Sequence, residues 1–308
     1  MILVYKIIEH IKKSEMKDIL KIQSAVLKAT HDFMWLKEMT QLMPVMLSSV
    51  TDPLAHDVFD SSIIYDGQRL ELTKSMILHK QISMSRGDMK GIYIVSPNIR
   101  LERPECKDSG RHLIEFSQVD IELKDATGEE FRKFMEELIV YILSFVKKEC
   151  KEELERIGRK IEIPKTPFKV YDSVKLKEVY GADYEKIVSE KEKEPFWITD
   201  LYREFYDKED PISKKHLNYD LIYPEGFGEG LSGAEREHIY DIIIEKMERR
   251  KTDPKMFEPY LKIAKEGHLI PTAGGGFGVE RMVRFLTGKK HIREATLFPR
   301  VPGEGIEI

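Results

Sequence analysis

The spacing of apolar and polar positions divides the first part of the chain into a helical and an extended region. Apolar residues recur every three or four positions from residue 3 to 38, with charged residues between them, which predicts helix. A proline interrupts the short apolar run Leu42–Leu47, which is typical of an edge strand. Further along, Asp66-Gly67 predicts a hairpin turn. The extended segments expected here are Ser62–Tyr65, Leu70–Leu72, Ile92–Val95, Ile99–Arg103 and Phe116–Leu123.

Helical spacing returns in the second half. A long amphipathic helix is predicted from Glu129 to Gly158, and the charged, proline-containing stretch 159–200 is interpreted as a surface insertion. Beyond it we expect strands at Pro195–Ile198 and Leu217–Tyr223, a glycine-rich turn at Pro224–Gly233, and helices at about 234–250, 254–266 and 279–287. Strands joined by hairpins and flanked by helices indicate an α+β fold with an antiparallel sheet, not a doubly wound parallel one.

One predicted strand carries polar side chains on a single face. In Phe116–Leu123 the alternation places Phe116, Gln118, Asp120 and Glu122 together, opposite a mostly apolar face. Two carboxylates and an amide are costly to bury without partners. We therefore expect this face to line a functional site.

Composition narrows the class of protein. The chain has 308 residues, of which 34% are charged and 41% hydrophobic, the balance of a soluble globular protein. A net charge of -4 provides no global basic field for nucleic acid. The two cysteines cannot form a disulfide framework, and charges interrupt the apolar N-terminus too early for a signal peptide or membrane span. A cytoplasmic enzyme is the expectation.

Three segments carry candidate chemistry, and each also has a plain structural explanation. Arg100 on a strand can clamp a phosphate, or pair with Glu102 on the surface. The run Gly274–Arg281 lets backbone approach a ligand closely, or is a flexible turn. In Gly228–His238, Glu229 and Ser232 offer oxygen ligands of the kind that Mg²⁺ prefers. Arg236, expected on the first turn of the next helix, can meet a substrate carboxylate or form an ordinary helix-surface ion pair.

Together these segments resemble the class II aminoacyl-tRNA synthetases. Residues 98–123 resemble motif 2, residues 274–287 resemble motif 3, and residues 20–47 resemble the dimer-forming motif 1. Gly228–His238 and His291–Arg300 are most similar to the aspartyl/asparaginyl subgroup, including archaeal asparagine synthetase-like paralogues. The resemblance implies a single catalytic domain over residues 1–308, a homodimer, and activation of a carboxylate with ATP.

The resemblance also implies roles for individual residues. Arg100 and Arg281 would act on the phosphates, with Arg281 and Phe116 on either side of the adenine, and Glu229 and Ser232 would bind Mg²⁺. Lys80 and Arg236 would hold the side-chain carboxylate of aspartate. The remaining implied contacts are Glu102, Arg111, His112, Gly276 and Gly278 for ATP, and Gln118 and Asp52 for aspartate.

Departures from the family pattern shape the functional hypothesis. Only about twenty residues precede motif 1, too few for the anticodon-binding barrel of the subgroup's full enzymes. Ile77 stands where the family usually has glutamine, and Thr51–Ala55 replaces a glutamate-glycine loop that contacts the amino group. These changes favour a reversed aspartate whose β-carboxylate is activated and then attacked by ammonia to give asparagine and AMP, with tRNA not expected as a partner. The alternatives are an aspartyl- or asparaginyl-tRNA synthetase-like ligase acting on tRNA or another acceptor, and a non-catalytic paralogue.

Overall fold

The computed structural model describes residues 2–306. Its α-helices are α1 (Ile2–Ile11), α2 (Met16–Leu36), α3 (Ile77–Ser83), α4 (Gly128–Glu149), α5 (Lys151–Arg156), α6 (Ser173–Tyr180), α7 (Tyr184–Lys191), α8 (Tyr240–Arg250), α9 (Glu258–Lys265) and α10 (Val279–Thr287). Its strands are β1 (Thr40–Gln41), β2 (Leu47–Ser48), β3 (Ser62–Tyr65), β4 (Gln68–Leu72), β5 (Gly91–Ile99), β6 (Glu115–Lys124), β7 (Lys169–Asp172), β8 (Phe196–Thr199), β9 (Asn218–Tyr223), β10 (Gly228–Glu235) and β11 (Thr272–Gly278).

An eight-stranded sheet forms the centre of the molecule, in the order β1-β5-β6-β11-β10-β9-β8-β7. Its inner strands pair antiparallel, while β1 with β5 and β7 with β8 pair parallel at the two edges. The α+β fold predicted from the sequence is confirmed, with a mixed sheet flanked by helices. A second sheet, β2-β4-β3, contains the predicted hairpin at Asp66-Gly67.

Helices α2, α4 and α10 cover one face of the large sheet, and α3 lies against the opposite face, where Lys80 reaches Asp120 of β6. Val119 and Ile121 of β6 and Phe277 of β11 join the main apolar core together with buried residues of α2, α4 and α10. A capping box fixes the start of α4, because Thr127 and Glu130 satisfy each other's backbone N–H groups. No helix within residues 2–306 has the length and apolar character needed to cross a membrane.

Several element boundaries differ from the predicted ones. The helix expected over 3–38 is two helices, and the run Leu42–Leu47 lies between two short strands except for its last residue, which begins β2. The strand expected at Ile92–Val95 is part of the longer strand β5, which ends at Ile99. The strand expected at Ile99–Arg103 is therefore wrong beyond its first residue, and Arg100 lies just after a strand and not on one. Pro97 is tolerated in β5 because the short neighbour β1 pairs only with Ile92 and Tyr93.

The charged segment 159–200 is more integrated than the surface insertion predicted for it. It supplies β7 and β8 to the edge of the large sheet. Its apolar residues Leu176, Val188 and Phe196 pack with Ile222 of β9 in a small core of their own. A high density of charge on the exposed positions of α6 and α7 masked these buried positions in the sequence pattern.

Candidate active site

A cavity of about 540 Å³ lies over the face of the large sheet opposite α2, α4 and α10. Every site residue predicted from the sequence lines it, from segments up to 229 positions apart in the chain: Asp52, Lys80, Arg100, Glu102, Arg111, His112, Phe116, Gln118, Glu229, Ser232, Arg236, Gly276, Gly278 and Arg281. The tertiary fold thus brings the predicted residues together in one place.

The floor of the cavity is made by three adjacent strands. The register places Asp120 of β6 opposite Gly276 of β11, and Gly276 opposite Ser232 of β10. A Cβ atom at Gly276 would lie 2.7 Å from Asp120 Oδ1, and one at Gly274 would lie 1.8 Å from Glu122 Oε2. The flexible turn considered for Gly274–Arg281 is therefore wrong: residues 274–278 belong to a strand that leaves space for the carboxylates of β6, and α10 follows at Val279.

The glycine-rich turn expected at Pro224–Gly233 is also largely strand, because β10 begins at Gly228. Arg236 follows that strand, four positions before α8 begins at Tyr240, so its expected position on a first helical turn is wrong. Arg236 is bridged to Asp207, and its N–H donates to the carbonyl of Thr272. Strand pairing, not a helix, aims this side chain into the cavity.

Lys80 and Arg236 lie buried at the base of the cavity and are already paired with carboxylates. Lys80 Nζ donates to Asp120 Oδ1 at 2.8 Å and to the carbonyls of Ile121 and Gly275 at 3.3 Å, which uses its three donors. Arg236 Nε donates to Glu122 Oε1 at 3.1 Å, and its Nη1 lies 3.6 Å from Asp207. Arg236 keeps more donor capacity than Lys80, since a guanidinium has five N–H groups.

A second group of oxygen atoms lies on β9 and β10. Asp220 and Ser232 are opposite each other in the register, and both accept hydrogen bonds from Arg203, with 2.6 Å between Arg203 Nη1 and Asp220 Oδ1. Burial raises the pKa of Asp220 to about 7, against the effect of Arg203. Although burial opposes ionisation of Glu229, Arg281, Arg111 and Arg203 lower its pKa to about 2.

These oxygens suit a hard cation that also binds phosphate. Glu229 is ionised at neutral pH, and Ser232 and Asp220 add a hydroxyl and a carboxylate. Among residues 2–306, no three His, Cys, Asp or Glu side chains form a closed metal cluster. Mg²⁺ is commonly held by one or two carboxylates together with substrate phosphates, so a partial set of this kind fits it.

Three further arginines, Arg100, Arg111 and Arg281, line the same cavity. Arg281 lies 3.2 Å from Glu229 Oε1, and Arg111 Nη1 donates to Glu185 Oε1 at 2.8 Å. The guanidinium of Arg100 stacks over the Phe116 ring, 5.1 Å from its centroid, and its Nε donates to the carbonyl of Lys74. Burial, with Arg281 and Arg111 nearby, lowers the pKa of His112 to about 4, so this imidazole is neutral at pH 7. The guanidinium groups of this region suit an anion with several negative oxygens.

A strap consisting of residues 52–59 crosses one side of the cavity. His56 Nε2 lies 2.9 Å from Glu102 Oε2, and Asp57 accepts from Arg103 at 2.9 Å. Asp52 is held inside by the hydroxyl of Tyr206, which donates to its Oδ1 at 3.0 Å. The residues that directly follow the segment departing from the family pattern are therefore bound to the segment resembling motif 2.

Sequence reasoning missed several cavity residues: Arg203, Glu204, Asp207 and Asp220. Asp220 had a usable signal, because a carboxylate within the otherwise uncharged, buried strand β9 requires a partner. Arg203, Glu204 and Asp207 lie outside the helices and strands, where no periodicity indicates the direction of a side chain. Burial, with Asp52 and Asp207 nearby, raises the pKa of Glu204 to about 7.

Comparison with known proteins agrees with this geometry. The family model of tRNA synthetases class II (D, K and N) matches residues 1–302. Aspartate--tRNA(Asp/Asn) ligases of Methanopyrus kandleri and Methanothermobacter thermautotrophicus are 32% and 34% identical, each over 94% of this chain and over 69% and 68% of their own length. The asparaginyl-tRNA synthetase of Pyrococcus horikoshii, solved with asparaginyl-adenylate, superposes with a TM-score of 0.86 at 25% identity, over 97% of this chain and 71% of that one. The chain belongs to the class II tRNA synthetase family for aspartate, lysine and asparagine.

Proposed function

We propose that this protein is an AMP-forming ligase that activates aspartate with ATP as aspartyl-adenylate. The observation that carries the proposal is that Arg100, Arg281 and Glu229 share one cavity with the buried cations Lys80 and Arg236. The groups proposed to bind phosphate and those proposed to bind carboxylate thus line the same cavity as Gln118 and Gly276 of β11. The family is one of ligases, and activation of an amino acid is the step that this arrangement serves.

In the first step a carboxylate oxygen of aspartate attacks the α-phosphorus of ATP, and the bond from that phosphorus to the pyrophosphate oxygen breaks. Arg100 offsets charge on the α-phosphate, while Arg281 and Arg111 hold the outer phosphates. Arg236 binds the carboxylate that does not react, and Lys80 holds Asp120 and Glu122 in place beneath it. Mg²⁺, bound through Glu229 and Ser232, would neutralise phosphate charge. Positioning accounts for most of the catalysis.

For the second step, the names of the relatives favour tRNA as the acceptor, since the two archaeal relatives that are 32% and 34% identical are tRNA ligases. A ribose hydroxyl would attack the carbonyl carbon of the adenylate, the bond to AMP would break, and the hydroxyl proton would be released. This reading requires the α-carboxylate to be activated, with Arg236 on the β-carboxylate.

Ammonia is the second candidate acceptor, and two features of the cavity wall favour it. Ile77 presents a buried apolar side chain where the family resemblance predicts glutamine, and Asp52 is engaged by Tyr206. Both alter the surroundings of the substrate amino group, as a reversed aspartate would require. Neutral ammonia would attack the β-carbonyl carbon, AMP would leave, and loss of a proton from nitrogen would give asparagine.

The first experiment measures exchange of labelled pyrophosphate into ATP with Mg²⁺ and either aspartate or asparagine. We expect aspartate-dependent exchange, and a loss of about 100-fold in Arg100→Ala, because a preorganised phosphate contact contributes most in the transition state. Arg86→Ala is the matched control, since Arg86 is exposed and pairs with Asp88 on the surface. Absence of exchange with both amino acids would contradict the proposal.

The acceptor is then identified with the same protein. Labelled aspartate and ATP are supplied with either total tRNA or ammonium, and aspartyl-tRNA and free asparagine are separated and counted. Aspartyl-tRNA formation would establish the tRNA ligase, and asparagine with equimolar AMP would establish the ammonia ligase.

We also propose a homodimer through the segment that resembles motif 1. Large apolar side chains are exposed along this segment, at 82% for Trp35, 67% for Leu36 and 83% for Met43. They end α2 and follow the edge strand β1, so a second copy could cover them. Such a dense apolar patch is typical of an interface.

A further inference from the structure

The position of Arg111 depends on a helix from a distant part of the chain. Arg111 lies between the short helix Pro104–Ser109 and β6, outside any regular element. Its guanidinium enters the cavity beside Glu229, and its Nη1 donates to Glu185 Oε1 of α7 at 2.8 Å. A long arginine side chain on an irregular segment keeps one orientation only if another group holds it.

The carboxylate of Glu185 is itself firmly placed. Ser189, one turn further along α7 and fully buried, donates from its hydroxyl to the carbonyl of Tyr223 at 2.7 Å and accepts from the N–H of Gly228 at 3.1 Å. Glu185 Oε1 also accepts from the N–H of Glu229 at 3.3 Å. Helix α7 is thus bound at two points to the turn and strand that present Glu229.

Gly228 leaves the space that the ion pair occupies. This glycine has φ +73°, and a Cβ atom there would lie 3.1 Å from Arg111 Nη1 and 3.3 Å from Glu185 Oε1. A larger residue would press on both members of the pair. The start of β10 is therefore shaped around the contact between Arg111 and Glu185.

The ion pair between Arg111 and Glu185 offsets positive charge in a cluster of arginines. Three arginines, Arg111, Arg281 and Arg284, lie close together. Burial, and then repulsion from Arg281 and Arg111, lowers the pKa of Arg284 to about 10. Glu229 offsets Arg281, and Glu185 offsets Arg111. Arg111 uses one N–H group of Nη1 to donate to Glu185. Because a guanidinium has five N–H groups, the others remain available to phosphate oxygens.

We infer that Glu185 is a positioning residue that aims Arg111 at the outer phosphates of ATP and at pyrophosphate. The inference rests on the proposed adenylate-forming function for the identity of the ligand. It assigns the 159–200 segment a part in nucleotide binding, through α7. Because Arg111 lies toward the outer phosphates, Glu185 affects ligands that carry them and leaves AMP binding unchanged.

The test measures dissociation constants of the full chain for ATP, pyrophosphate and AMP in the presence of Mg²⁺ by calorimetry. Glu185→Ala should weaken ATP and pyrophosphate on the order of tenfold, the usual scale for one charge-assisted contact, and AMP by less than about twofold. Glu185→Gln keeps an oxygen acceptor of the same length and should weaken the first two ligands by about threefold. Glu190→Ala, at an exposed position of the same helix, is the matched control and should bind all three ligands as the wild type does.

A double-mutant cycle separates positioning from a general structural effect. In an Arg111→Ala background, Glu185→Ala should cause no further loss of pyrophosphate affinity. An equal loss in both backgrounds, a matching loss of AMP affinity, or unchanged ATP affinity in Glu185→Ala would overturn the inference. Thermal unfolding of each variant checks the fold, and Glu185→Gln carries the test if the alanine variant unfolds.

The outcomes also distinguish this inference from the proposed function. A wild type that binds ATP but shows no aspartate-dependent exchange would refute the proposed function, while the affinity differences would still support the role of Glu185. A wild type that binds neither ATP nor pyrophosphate would overturn the inference as well.

Discussion

At the scale of single residues, the base of the cavity is a balanced set of buried charges. Lys80 is 1% exposed, and Asp120 and Glu122 are 1% and 0% exposed. A buried ion pair contributes little net stability compared with an apolar pair, but removing one partner leaves the other charge uncompensated. Lys80 therefore acts on the structure first, and under the proposed function we expect Arg236 to be the better direct ligand for the aspartate carboxylate.

Replacement of Lys80 tests this balance. We expect Lys80→Ala to lower the free energy of unfolding by about 3 to 5 kcal/mol, because Asp120 would stay buried without its cation, while Glu122 would keep only Arg236. Chemical denaturation monitored by circular dichroism measures the change. Lys28→Ala is the control: Lys28 forms an exposed pair with Asp32 at 2.7 Å, and its loss should cost less than about 1 kcal/mol. An equal loss of unfolding free energy in the two variants would contradict the argument that Lys80 compensates the buried charge of Asp120.

At the scale of elements, β11 shows how a strand with glycines on one face creates a site. Gly274 and Gly276 lie opposite Glu122 and Asp120 in the register, and their missing Cβ atoms leave the cavity face open. On the other face, Phe277 of the same strand packs in the apolar core. The strand is anchored on one side and bare on the other, which keeps the backbone close to any ligand above it.

A single added methyl group tests the element. Gly274→Ala should destabilise the protein by about 3 kcal/mol, because its Cβ would meet Glu122 Oε2 and the carbonyl of Ile121. Gly305→Ala is the matched control, since no heavy atom lies within 4 Å of a Cβ built there. Thermal melts compare the two variants with the wild type, and a Gly274→Ala melt that overlays the control would contradict the packing argument.

At the scale of the whole molecule, the large sheet separates two functions. Its helix-covered face supplies the apolar core, and its opposite face supplies the cavity. The apolar surface at the end of α2 lies in the segment that resembles motif 1 and contains Trp35, Leu36 and Met43. Exposed apolar residues of this size favour association with a second copy.

The assembly is tested by light scattering coupled to size-exclusion chromatography. A chain of 36.0 kDa should elute with twice that mass, and Trp35→Glu should shift the protein toward the monomer, because a charge in an apolar interface loses its solvation. Ile212→Glu, at a position 92% exposed and far from this segment in the sequence, is the control and should stay dimeric. A monomeric wild type would refute the dimer.

The sequence by itself determined the local helices, strands and turns and the set of polar side chains available for a site. Helical spacing correctly predicted α10, the Asp66-Gly67 turn predicted the β3–β4 hairpin, and alternation identified the polar face of β6. These features depend on residues close together in the chain, so a pattern of a few positions contains them. The family resemblance then indicated which side chains would meet in one cavity.

Tertiary structure decided how those side chains are paired. Glu122 meets Arg236 across 114 positions, and Arg111 meets Glu185 across 74. It also turned the glycine run into a strand, because only the neighbours β6 and β10 supply its hydrogen bonds. Charge partners and strand neighbours are set by contacts between distant segments, and a local pattern cannot specify which distant carboxylate a given cation will reach.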